Sequence, residues 1–418
     1  MILDRRLKMS MLKKSSFLLC LIILMIGSVW FLNLKNDNSS LVGVYIDGEY
    51  ASNIPSKDDG YVVEKVVCDN EAVGEWNYDD WGLLVKNMTK KSKCNVYFKK
   101  GIRLADTITL VDTTGKCPTV NSDGSVNVTS AESENSLLCM APDNYGTSYY
   151  FRGNVQNNYV YFANLYWRII RINGDGSIRM IYDGTTAHEN GEASEDRIIG
   201  TSPFNEKHND NAYVGYMYGT PGASTYEETH ANINDSTIKK YVDSWYENNL
   251  KNEVNEKYMS DNTFCNDRQI LKYKPDNYTN LGYGTEATSY LWLFNKTIAT
   301  IKCVQKNDAF TSRNSTMGNG DLKYSIGILS VDEVSLSGGY LSNNKQYYLY
   351  TGTYIWTMTP MDFDSWGNAN ARRISDVGAI NGSYDDVYFA HGVKPVINLK
   401  AGSLTIGDGS ITNPYKIS

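Results

Sequence analysis

Six of the seven cysteines in this 418-residue chain fall as neighbouring couples: Cys68 with Cys94, Cys117 with Cys139, and Cys265 with Cys303. Thiols arranged this way can close disulfides in an oxidising compartment or hold a metal. No C-x-x-C pair and no Cys/His cluster offers a metal its usual ligand spacing, so three local bridges are expected. The four histidines, His188, His208, His230 and His391, are scattered. No H-E-x-x-H, G-x-S-x-G or phosphate-cradling glycine loop accompanies them. "HNDN" at His208–Asn211 and "CNDR" at Cys265–Arg268 could bind a cation, but they read more simply as turns whose side chains bond their own backbone. A pair of acids for glycoside hydrolysis, such as Asp332 with Asp376, can be assembled from any acidic chain and has no support in spacing alone. The sequence therefore assigns no catalytic residue, metal or cofactor.

One late stretch is different. "WTMTPMDFDSWGNANARRI", Trp356 to Ile374, begins as a strand and breaks at Pro360, which cannot continue a central ladder. It then places Met361, Phe363 and Trp366 among Asp, Ser, Gly and Asn. Apolar side chains in such a loop are either pinned to a core or offered to a partner. Trp366 is expected to be exposed beside Tyr384 and His391, and Trp356 to be core. Arg372 and Arg373 are neighbours in the resumed strand and so face opposite ways. The candidate ligand-binding set is Met361, Phe363, Trp366, Arg372, Tyr384 and His391, because aromatic faces flanked by amides and acids suit a sugar or a peptide.

Such a set needs a frame and a location. Phe17 to Leu34 is an apolar run of 18 residues preceded by Arg5, Arg6, Lys8, Lys13 and Lys14. It reads as an uncleaved transmembrane helix in contact with the lipid bilayer, with residues 1–16 as a cytoplasmic tail and the bulk of the chain extracytoplasmic. A cleaved signal peptide competes, but no small-x-small cleavage pair is evident. Removing residues 1–34 takes five basic residues and one acid from totals of 40 and 47, leaving a net charge of −11. That balance argues against nucleic acid and anionic membrane surfaces as partners.

Beyond a polar stalk at residues 35–40, residues 41–99 read as a small all-β module. "LVGVYIDGEY", "GYVVEKVVC", "WGLLVKNM" and "CNVYF" give its strands, with Trp76 and Trp81 near a Cys68–Cys94 staple. Residues 100–143 are rich in loop formers. Residues 144–418 carry sharper patterns. "YWRIIRINGDGSIRMIYDG" is a hairpin with one covered face. Ser236 to Leu250 is an amphipathic helix burying Ile238, Tyr241, Val242, Trp245 and Leu250. Ser330 and Glu333 form a capping box for a short helix that ends at Gly338-Gly339. The expected fold class is α+β: a transmembrane helix, a small β module, and a C-terminal domain of short antiparallel strands with two helices.

"DNYGTSYYFRGNV", "YWRIIRINGDGSIRMIY", "IGILSVDEVSLSGG", "YIWTMTP" and "GVKPVINL" resemble a family of uncharacterised bacterial cell-surface proteins. The resemblance covers about Asn144 to Ser418 and implies an anchored surface protein. The order of the two helices, the W-T-x-(S/T)-P strand and the terminal G-V-(K/R)-P-V strand is more distantly similar to the C-type-lectin and formylglycine-generating-enzyme fold. That likeness implies a ligand site on late loops, although the calcium and sugar motifs of lectins and a late cysteine pair are missing. The leading expectation is a surface protein that binds a glycan or protein ligand. A cell-wall or glycan hydrolase with loop acids, and a purely structural surface protein, are the alternatives. Two ionisable groups with shifted pKa values in a deep cleft would favour the enzyme.

Overall fold

The computed structural model describes residues 30–31 and 42–417, apart from residues 79, 90–91, 108–116, 129–135, 269, 274–284, 288–296, 341–342, 365 and 381–382. Strands make up 37% of the structure and helices 14%, so the architecture is dominated by β-structure rather than the α+β balance expected. The cause lies in length: the two segments expected to be helical are real helices, but one has 13 residues and the other seven.

The expected transmembrane helix is also corrected. Among the described residues no helix is long and apolar enough to cross a membrane. Trp30 and Phe31, at the end of the expected span, are extended and pair with Val85 and Leu84. The rest of residues 17–34 lies outside the described residues. The absence of such a helix among the described residues overturns the assignment as a single-pass membrane protein. All three expected disulfides are formed, Cys68–Cys94, Cys117–Cys139 and Cys265–Cys303, consistent with an extracellular protein.

The chain divides into two compact units, residues 1–102 and 103–417. In the first, Tyr61–Cys68 and Val42–Ile46 flank Cys94–Lys100, antiparallel and parallel respectively. The alternation of Val42, Val44, Val96 and Phe98 buries one face of this sheet. Trp76 packs edge-on against Phe98 and Trp81 within the same small core. A unit of this size buries little apolar surface, so the disulfide between paired positions of two strands adds stability the core cannot.

The second unit is built on two sheets. In the first, the strand Leu165–Ile172 lies between Tyr159–Phe162 and Ile178–Gly184, and Val396–Leu399 and Ile326–Gly327 extend the order. In the second, Thr201–Pro203, Ala390–Gly392, Ile355–Phe363, Ala369–Ile374 and Tyr384–Asp386 follow one another. The helix Thr237–Asn249 starts at Ser236, whose hydroxyl accepts from Lys239 N. It buries Ile238, Val242, Tyr246 and Leu250, while Trp245 packs across Tyr182 and Trp167. The helix Val331–Ser337 has the capping box the sequence predicts and ends at Gly338, whose φ of 121° suits glycine.

The hairpin arginines depart from expectation. Arg168, Arg171 and Arg179 do not meet a polar exterior; all three are buried. Burial of a guanidinium is tolerable only with counter-charge and filled hydrogen bonds. Asp183 supplies this for Arg168, Arg197 and Lys394, and Glu333 supplies it for Arg171 and Arg179.

Candidate functional site

Two places in the second unit gather functional side chains. The first lies where Ile355–Phe363 turns into Ala369–Ile374. Pro360 does not end the first strand. The strand continues through it with register shifts on both sides, which is how an imide without N–H is accommodated in a ladder. Met361 and Phe363 consequently point inward, and Phe363, at 1% exposure, is core. Trp366 is 88% exposed. Its turn is fixed from below: Asp364 Oδ1 accepts from Trp366 N and Asn368 N, both at 2.9 Å, and Asp364 N donates to Asn368 O. His208 Nδ1 lies 2.9 Å from Asn368 Oδ1, and its ring packs at 4.7 Å on Tyr388, which packs at 4.3 Å on Phe389. Tyr388 and Phe389 are both partly exposed.

The other candidate residues are distributed differently. Arg372 is buried beneath half-exposed Tyr384, its cross-strand partner, with the guanidinium 5.7 Å from the ring. His391 packs its ring on Trp356 at 4.6 Å and sets Nε2 3.0 Å from Asp385 Oδ2. Burial lowers the His391 pKa, and Asp385 opposes that shift. Arg373 stacks on Tyr354 and pairs with Asp385 on the same side. The residues linked to the Trp366 turn by contact are thus His208, Tyr388 and Phe389, which the sequence reading did not select. His208 follows the strand Thr201–Pro203, and Tyr388 and Phe389 lie in the turn between Tyr384–Asp386 and Ala390–Gly392, so their meeting depends on long-range strand pairing that a single sequence does not give.

The second place is a cavity of about 530 Å³. The loop at Asp143–Tyr145, the strand residues Arg171 and Arg179, the segments around Thr263 and Thr300, and the start of the helix Val331–Ser337 enclose it, and the Cys265–Cys303 bridge forms part of its wall. Glu333 is held by Arg171 Nη1 at 2.7 Å, by Arg179, and by Ser330 N at 3.1 Å. Burial alone would raise its pKa, but Arg179 and Arg171 outweigh burial and hold it below the ordinary carboxylate value. Asp332 is a different case. Its Oδ1 accepts from Thr300 N at 2.8 Å. Burial pushes its pKa up to about 7, with Asp267 and Glu333 adding to the rise. Asp376, considered above as its partner, belongs to the turn Ser375–Ala379 and does not line this cavity.

The remaining polar clusters are structural. Asp210 accepts from Ala212 N and Gly222 N, and Asn266 bridges Tyr216 N and Met358 O. Arg268 is paired with Asp308. Among the described residues no group of three or more His, Cys, Asp or Glu side chains is placed to hold a metal ion. Comparisons with protein families, with curated proteins and with solved structures find no match for this chain.

Proposed function

We propose that this chain is an extracellular ligand-binding protein that captures a glycan on the aromatic end of its five-stranded sheet. The observation that carries the reading is Trp366, 88% exposed on a turn whose backbone is locked by Asp364. A large apolar side chain set out into water from a hydrogen-bonded turn is a contact surface on offer, and the backbone beneath it is ordered before a partner arrives. Tyr388 and Phe389 lie at the same end of the sheet, where Ala369 N donates to His208 O. Rings supply stacking area for the apolar faces of a sugar, and Asn368 and Asp386 supply acceptors and donors for its hydroxyls. The acidic balance of the chain argues against nucleic acid.

The test is binding of the intact, oxidised protein to an array of bacterial and host polysaccharides, with Trp366→Ala and Tyr388→Ala alongside. Each variant should lose at least about tenfold in affinity, the scale of about 1.4 kcal/mol, while its melting temperature stays within error. Retention of no glycan by the parent protein, or equal retention by the variants, overturns the reading.

A further inference from the structure

The cavity beside the helix Val331–Ser337 is a second site, independent of the aromatic surface. We propose that it binds a small zwitterion with a free ammonium and a free carboxylate, an α-amino acid or a short peptide, pairing the ammonium with Asp332 and the carboxylate with the Arg171–Arg179 wall.

The argument begins with how charge is distributed around the space. Eight charged residues line the cavity, and three can be set aside. Asp143 is occupied by Tyr145 N, Gly146 N and Gly174 N, and Asp123 by the Ser125 backbone and hydroxyl. Lys302 neutralises part of the field of Asp123. The rest separate into two walls. On the sheet side, two guanidiniums share one carboxylate, Glu333, so that wall keeps a net positive charge. On the side of residues 298–304, Asp332 leans on Thr300 N with Asp267 nearby, and no Lys or Arg among the described residues makes an ion pair with Asp332. A buried acid left without a cation is costly, and proteins normally avoid one unless a ligand supplies the charge.

The two walls exclude simpler ligands. A bare anion would meet Asp332 and Asp267 as well as the arginines. A simple amine would leave the excess positive charge of the arginine wall unanswered. A molecule carrying both charges answers both walls and adds no net charge to the cavity. The volume, about 530 Å³, is within the range of about 300–1,000 Å³ typical of small-molecule sites. Ile298, Ala299 and Ile301 give an apolar strip for a side chain.

A cation beside Asp332 favours its ionised form, so binding near neutral pH should release a proton, and affinity should rise as pH increases from 6 to 8. Asp267 and Glu333 oppose ionisation of Asp332, while Arg171, Arg179 and Lys302 act in the other direction. Titration calorimetry of the full, oxidised chain would use glycine, L-alanine, D-alanine, L-lysine and L-alanyl-D-alanine as probes. Two buffers of different ionisation enthalpy would report proton release. For at least one probe, blocking the amine by acetylation or the carboxylate by amidation should each weaken binding at least tenfold. Asp332→Asn keeps the oxygen that Thr300 N needs and should abolish both the preference for a free amine and the buffer dependence. Binding by none of the probes at millimolar concentration, equal binding of the blocked forms, or an unchanged profile in Asp332→Asn would each overturn the proposal. Trp366→Ala should leave this binding intact, which separates its outcome from that of the glycan reading.

Discussion

Replacing Asp332 by Asn should make the protein more stable, and only above acidic pH. Asp332 is 7% exposed, and its pKa rises from an ordinary 3.8 to about 7, first through burial and then through Asp267 and Glu333. The folded protein therefore holds this proton more tightly than the unfolded chain does. Below pH of about 4 both states are protonated and the residue costs nothing. As pH climbs from about 4 to 7 the unfolded chain releases the proton and the folded protein does not, so stability falls; above about 7 the loss is complete. A rise of about three units at about 1.4 kcal/mol each sets a ceiling on the order of 4 kcal/mol. Water in the cavity screens the charge, so a realised gain of about 1–4 kcal/mol is expected for Asp332→Asn at pH 8, and close to none at pH 4. Urea unfolding followed by tryptophan fluorescence, with disulfides intact, measures the difference at pH 4, 6 and 8. A difference that does not vary with pH, or an Asn variant less stable than the parent at pH 8, would refute the assigned environment of Asp332.

Glu333→Gln removes the counter-charge from two buried arginines and should cost about 3–5 kcal/mol, far more than loss of a helix cap alone; a change below about 1 kcal/mol in the same urea assay would mean the arginines find other partners. Trp245→Ala empties the space between the helix Thr237–Asn249 and the rings of Trp167 and Tyr182, and should cost about 3 kcal/mol, measured by thermal unfolding. A loss near zero would place that ring on the surface.

What the sequence disclosed was mostly local. The capping box at Ser330 and Glu333, the glycine stop at Gly338, the helix from Ser236 and the couples of cysteines are short-range signals, and short-range geometry is what a sequence encodes directly. The same reading failed where a local rule met a tertiary exception. Pro360 forbids an ordinary ladder position but not a strand with shifted register, so Met361 and Phe363, which local rules put in a loop, belong to the core. Alternating arginine and isoleucine in Leu165–Ile172 suggests one wet face, but distant acids cover it: Asp183 from the next strand and Glu333 from a helix more than 150 residues away. An apolar run of membrane length predicts a spanning helix, yet Trp30 and Phe31 at its end are extended beside Leu84 and Val85.

The cavity was illegible for the same reason, and the reason also shows how it is held open. Glu333 caps its own helix through Ser330 N and neutralises the arginines of two adjacent strands. Those two roles fix the helix start against the sheet, and the fixed helix start presents the preceding residue, Asp332, to the opposite wall at Thr300. A side chain committed to structure thus determines where an uncompensated one must stand. Motif searches seek reactive residues near one another in sequence and would pass over this pair, because only one of the two neighbours is available to a ligand. The structural role of Glu333 also accounts for its lowered pKa without catalysis: the two arginines beside it favour its ionised form. Asp332, next in line and without a cation, is where ligand chemistry can enter.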